Sequence, residues 1–513
     1  MMLLTKDHYI QLKDGVFDET SKQDLDHLFE ALAADPHQDH IVLNFHGGLV
    51  SVEHARETAE NLMQRFQNVN TYQIFVIWET SVPEVIDQEG GVFSFVEAQL
   101  LQIAKEGIFQ QLLMQVLQFA RAKVASVQAG GVRAVGGGLD LPDEDDVWQE
   151  MHTPEDGREP FANVQPALPA HEQLQDEERE QFFQTLTTNP DLQDEVQKVV
   201  NGYRQAGQAD ASSPQGMARG IEGGESGETA PTLISPDVME QMTQQEDQAS
   251  RGIGGSAIEF VAGKAIEVLS HVIDRFAQKT DHGLYPTVVE EILRAFYLAS
   301  IGKHVWDHIK QEVTDAFNQP DHGGSLFLKK LQAYYQDGHH PQITLVGHSA
   351  GAIYVCQLLQ QIKKILPEDV TFNVVSLAPA CTYKLFADTL KACQERIAAI
   401  RIFAMDDQRE QADVIVPNIY TRSLLYLVSG VFEEVADTPI LGMERFFKTQ
   451  ALVNRWSEIP QILEYLNTSQ RNNVWSIVDG GDGLSSHAEH HGDFYRETFT
   501  LTSLEYILTN GLG

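Results

Sequence analysis

Apolar and polar positions along the chain switch between two periods, and the switches outline alternating strands and helices. HYIQL at 8–12 reads as a short strand, and ETSKQDLDHLFEALAADP at 19–36 as a helix with apolar residues three and four apart. HIVLNF at 40–45 is a strand, VEHARETAENLMQRF at 52–66 a second helix, and YQIFVIW at 72–78 a third strand. The rhythm stops near Ser81 and resumes with the helix LFLKKLQAYYQDG at 326–338 and the strand QITLVGHS at 342–349. After these come a helix at 352–365, a strand at 371–379, a helix at 383–397 and the strand AIRIFAM at 399–405. A loop-rich stretch follows, then a helix around 443–456, the strand NVWSIV at 473–478, a polar loop and a final helix at 503–508. Strands alternating with helices of this length predict parallel βαβ units: an α/β fold with a mostly parallel central sheet and helices on both faces.

The interruption predicts a helical cap. One helix is expected over 92–127, where glutamines and Glu97, Lys105 and Glu106 break the apolar run, and a second block over 256–318. Between them, residues 128–255 carry 25 acidic against 7 basic side chains, a net −18 out of −38 for the whole 513-residue chain. That composition predicts a mostly disordered acidic segment with isolated helices such as HEQLQDEEREQFFQTL. The expected organisation is therefore a core from 1–80 and 320–513, with an insertion at 81–319.

Charge and composition narrow the function. A net −38 repels phosphate backbones and anionic surfaces, so nucleic acid is not an expected partner. With 42% hydrophobic and 21% charged residues the chain is of the globular class. Cys356, Cys381 and Cys393 are widely spaced and odd in number, which suits reduced thiols. The start MMLLTKDHYIQLKDG lacks the pattern of a secretory signal, and no uncharged apolar stretch reaches the roughly 18 residues of a membrane span, so a cytoplasmic location is expected.

Two turns carry candidate chemistry. Gly347-His348-Ser349-Ala350-Gly351 lies between a strand and a helix, where small residues allow a sharp reversal that lifts a serine hydroxyl above the sheet edge. Asn44-Phe45-His46-Gly47-Gly48-Leu49 follows the strand at 40–45, and its glycines let backbone amides approach a developing oxyanion. The expected donors are the turn from Gly47 through Gly48 to Leu49 together with the amide of Ala350.

In their order these turns resemble the α/β-hydrolase fold of serine esterases and lipases, over residues 38–80 and 320–513. The resemblance implies a Ser, acid, His order, with the acid after a late strand and the histidine after the last. Asp406 and Asp407 follow AIRIFAM, with Asp406 preferred, Asp407 the alternate and Asp413 third. His491 in the loop after NVWSIV is the preferred base and His487 the alternate. A metal reading of His487, His490, His491 and Asp493, or of the DGGDG turn at 479–483, is weaker, because neither matches an HExxH helix or a complete calcium loop. No cofactor is expected.

The two turns stand 303 residues apart, from His46 to Ser349, so the insertion belongs at the rim of the strand ends and is a candidate lid. Phe93, Phe95, Leu100, Leu101, Phe109, Leu112 and Leu113 either form the cap's own core or face an acyl pocket or a membrane surface. The expected activity is cleavage of carboxylic esters, lipid or acyl esters among them, by a Ser-His-Asp triad. The alternative is a hydrolase-like scaffold whose acidic insertion recruits a protein partner.

Overall fold

The structure, a computed structural model, describes residues 4–48, 50–80, 91–129, 138–152, 160–162, 168–210, 232–252 and 254–513. Eight strands form one sheet: β1 (Tyr9–Lys13), β2 (Val16–Phe17), β3 (His40–Phe45), β4 (Tyr72–Trp78), β5 (Gln342–His348), β6 (Phe372–Leu377), β7 (Ile397–Met405) and β8 (Asn473–Ser476). Their spatial order is β2-β1-β4-β3-β5-β6-β7-β8. β2 is antiparallel to β1, and every other neighbouring pair in this sheet is parallel.

The central strands are buried on both faces, which is why HIVLNF and YQIFVIW run as nearly continuous apolar stretches. Alternation survives in where the side chains go. Val42, Phe75, Ile77 and Val346 join one core, whereas Ile41, Leu43, Phe45, Ile74, Val76, Trp78, Ile343 and Leu345 join the other.

Helices α1 (Lys22–Ala34) and α2 (Val52–Arg65) lie on opposite faces, through Leu25, Leu28 and Leu32 in one core and Ala55, Ala59 and Leu62 in the other. The Ser21 hydroxyl accepts from the amide of Asp24 and the Asp24 carboxylate accepts from the amide of Ser21, a reciprocal cap that fixes where α1 begins.

The insertion is a helical cap made of α3 (Gly91–Ile103), α4 (Gly107–Gln128), α5 (Glu144–His152), α6 (Asp176–Thr188), α7 (Pro190–Asp210), α8 (Pro236–Ser250), α9 (Ala257–Gln278), α10 (Leu284–Ile292) and α11 (Lys303–Asn318). The single helix expected over 92–127 is two. Their joint falls at Ala104 to Glu106, where the Glu106 carboxylate turns away to accept from the amide of Leu233 at 2.5 Å, the Thr232 hydroxyl at 3.0 Å and the Tyr297 hydroxyl at 3.1 Å.

The acidic stretch contributes four of these helices, α5 to α8. Each shows charge to solvent but buries a narrow apolar stripe, including Val147 on α5, Phe182 and Leu186 on α6, Leu192, Val196 and Val200 on α7, and Val238, Met239 and Met242 on α8. Packing on α4 and α9 supplies the stability that composition alone does not predict. The buried ammonium of Lys123 on α4 is neutralised by Glu178 at 2.9 Å and Glu172 at 2.6 Å. The expected disorder also covers 130–137, 153–159, 163–167, 211–231 and 253, which lie outside the described residues.

The core resumes with α12 (Gly323–Gln336), α13 (Gly351–Ile365), α14 (Tyr383–Cys393) and α15 (Asp407–Ala412), and the last helix spans Thr498–Asn510. The helix expected around 443–456 is two single turns, Arg445–Lys448 and Gln450–Val453. Cap and core meet at buried Arg275, which donates to Glu290 at 2.6 Å, Glu291 at 3.0 Å and Asp437 at 2.9 Å. Among the described residues no helix is long and apolar enough to cross a membrane. All three cysteines are free and buried.

Candidate active site

Ser349 sits at the reversal between β5 and α13 with φ of 53°, a left-handed conformation that costs a non-glycine residue roughly 1 to 3 kcal/mol. The end of β6 holds it there. The Ser349 amide donates to the Leu377 carbonyl at 2.9 Å, and its own carbonyl accepts from the amide of Ala380 at 3.0 Å. The flanking glycines are there for space: a Cβ on Gly347 would lie 2.9 Å from the Gly351 backbone, and one on Gly351 only 2.2 Å from the Phe45 carbonyl oxygen.

That last contact brings the two turns together. Gly48 packs on Ala350, so that a Cβ on Gly48 would stand 2.8 Å from the Ala350 methyl, and one on Gly47 would stand 3.3 Å from the Ser349 Cβ. The His46 ring sets the turn. Its Nε2 accepts from the Trp78 amide at 3.1 Å, which puts the proton on Nδ1, and Nδ1–H donates to the Gly47 carbonyl at 2.7 Å. Burial pushes this imidazole down to about 4, so it stays neutral in that tautomer. With the Gly47 oxygen drawn to His46, the N–H of the same peptide unit, that of Gly48, points the opposite way. Among the described residues nothing accepts from the amides of Gly48 or Ala350.

His491 Nε2 lies 2.9 Å from Ser349 Oγ, and both residues are buried. Burial, with the neighbouring His348 second, pushes the His491 imidazole down to about 3. It is neutral at physiological pH. His348, the residue before the serine, is also held neutral by burial, at about 4, and its Nε2–H donates to the His491 carbonyl at 3.1 Å.

The remaining candidates are elsewhere. His487 pairs with Asp479 at 2.7 Å and stacks on Phe499, and no contact links it to Ser349. Asp406 caps α15: its carboxylate accepts from the Arg409 amide at 2.9 Å and pairs with the Arg409 guanidinium. Asp407 accepts from the Tyr426 hydroxyl at 2.7 Å and from the Gln411 amide at 2.8 Å. Neither preferred acid therefore bonds His491. An aspartate just before a helix is a favoured N-cap, and that signal in DDQRE points to the role the structure shows. Asp413, at the other end of α15, is the carboxylate that reaches the base loop. It accepts from the main-chain amide of His491 at 2.9 Å and bonds the His490 ring at 2.8 Å. That carboxylate raises the pKa of the His490 imidazole.

No shared metal geometry links His487, His490, His491 and Asp493: the first three are engaged as above, and Asp493 accepts from the amides of Glu489 and His490. The DGGDG stretch is a hairpin turn with Gly481, Asp482 and Gly483 at positive φ. Among the described residues, His282, Glu290 and Asp437 hold donor atoms within 4.8 Å of one another. The Arg275 guanidinium already binds both of those carboxylates, so the cluster carries its own cation.

Ser349 and His491 open onto a cavity of about 680 Å³ at the carboxyl ends of the parallel strands. Its lining includes apolar Val50, Phe93, Val414, Ile415 and Leu424 together with Glu53, His54, Glu57 and Arg496. Phe93 belongs to α3, so the cap forms part of the rim. Comparison with protein-family models, with curated proteins and with solved structures finds no match to this chain.

Proposed function

We propose that the chain is a serine hydrolase of the α/β-hydrolase type that cleaves carboxylic esters. The observation that carries this reading is the 2.9 Å contact between His491 Nε2 and a Ser349 hydroxyl held at positive φ, beside a glycine turn whose Gly48 amide has no acceptor among the described residues. The chain order also fits, with the serine after β5, carboxylates after β7 and the histidine after β8.

In this mechanism Ser349 Oγ attacks the ester carbonyl as its proton passes to His491 Nε2. The carbonyl oxygen becomes an oxyanion facing the amides of Gly48 and Ala350, donors of a kind whose individual loss typically costs ~100 to 1000-fold in turnover. Collapse breaks the bond to the alkoxide, which takes the proton from His491 and leaves as the alcohol, with the acyl group on Ser349. Water then gives a proton to His491 and attacks the acyl carbon. The second collapse releases the acid and returns the proton to Oγ.

The apolar residues in the lining favour acyl chains, each buried methylene contributing about 0.8 kcal/mol. A panel of p-nitrophenyl esters from acetate to palmitate tests the reading. Turnover that rises with chain length above acetate and disappears in Ser349→Ala is expected. Turnover surviving that substitution, or none in the wild type, contradicts it.

A further inference from the structure

The base is gripped from both sides of its own Cα. Residues 348 and 349 hold residue 491 at two points: His348 Nε2–H at the carbonyl, 3.1 Å away, and Ser349 Oγ at the ring, 2.9 Å away. From the other side the Asp413 carboxylate accepts the His491 amide at 2.9 Å and is itself steadied by the His490 ring at 2.8 Å. The second ring nitrogen, Nδ1, is buried and has no partner among the described residues.

We infer that His348 and Asp413 are the positioning residues of the proposed reaction, and that they fix the base through its main chain instead of through a carboxylate on its ring. Two bonds flanking one Cα fix the direction of its Cα–Cβ bond. The buried packing of the ring, 5.4 Å from that of His348, then leaves Nε2 aimed at the hydroxyl. This inference rests on Ser349 and His491 reacting as proposed, and it makes a different demand on Asp413 than a ring-bound acid does. A main-chain amide needs only an acceptor, and an asparagine oxygen serves; the new NH₂ group then faces His490 Nδ1, which accepts as the neutral tautomer. In a triad the same isosteric change strands the wrong tautomer and costs about 10⁴-fold.

The test is the second-order rate at which an alkyl fluorophosphonate inactivates the full chain, measured against pH for Asp413→Asn, Asp413→Ala, His348→Gln and His348→Ala, with melting curves for each. Asp413→Asn is expected to react at close to the wild-type rate with an unmoved acid limb, while Asp413→Ala slows by about 100-fold, the scale of a misplacement near 1 Å. His348→Gln, whose side-chain amide donates to the same carbonyl, recovers most of the loss seen in His348→Ala. A loss near 10⁴-fold in Asp413→Asn, or an acid limb displaced by a full unit or more, puts the carboxylate on the ring and overturns the inference. So does a wild-type rate in Asp413→Ala, or a His348→Gln no faster than His348→Ala. A wild type that is not labelled at all defeats the hydrolase reading itself, an outcome separate from these.

Discussion

At the scale of single residues, the site is a set of steric and protonic constraints. Gly351 tolerates no side chain against the Phe45 carbonyl, so Gly351→Ala is expected to lower the melting temperature and abolish fluorophosphonate labelling together; normal labelling with normal melting contradicts that packing. In the proposed reaction the reactive form of His491 is the neutral one, and burial, with the neighbouring His348 second, pushes its pKa down to about 3. Reactivity therefore persists as pH falls through 6.5 and is lost only as it approaches that lower value. An acid limb near pH 6.5 in the labelling rate contradicts this. The serine and both turns were legible in the sequence because their chemistry is local: strand, small residues, helix. The carboxylate beside the base was not, because Asp406, Asp407 and Asp413 differ only in where one short helix, α15, turns each of them. His348 was passed over for a related reason. The variable position of a GxSxG turn has no residue type to mark it, and its bond to a carbonyl 143 positions away exists only in the fold.

At the scale of elements, β3 and β4 coincide with the apolar runs read from sequence, since runs bounded by turns leave little choice of register. The cap helices were harder to read. A polar sequence with a narrow apolar stripe is stable only where another helix covers the stripe, and α4 and α9 do so from far along the chain. Long-range contacts also set the joint between cap and core. Glu312 on α11 accepts from the Asp14 amide at 3.0 Å in the turn between β1 and β2, and burial beside Asp14 raises its pKa to about 8. The folded chain thus holds a proton there that the unfolded chain releases above its ordinary carboxyl value. Stability associated with this group is full below about pH 4.5 and declines as pH rises toward 8. Glu312→Gln is expected to melt several degrees higher than wild type at pH 8 and at the same temperature at pH 4. Equal melting at both pH values contradicts a protonated Glu312.

At the scale of the whole molecule, a mostly parallel sheet places the candidate-site loops at one edge, and the insertion folds into a cap whose α3 borders the cavity. The cap is joined to the core through Arg275, which faces three carboxylates on two elements. Arg275→Met leaves those charges buried and unpaired, and chemical denaturation is expected to show a loss of about 3 to 5 kcal/mol. A loss under about 1 kcal/mol, the range of exposed ion pairs, contradicts a buried clamp. All of this architecture converges on one oxygen atom, and the most direct test is chemical. After reaction with a fluorophosphonate, peptide mass spectrometry is predicted to find one phosphonyl group per chain on Ser349, with none on the Ser349→Ala variant. An unmodified Ser349, or modification that persists in Ser349→Ala, contradicts the account.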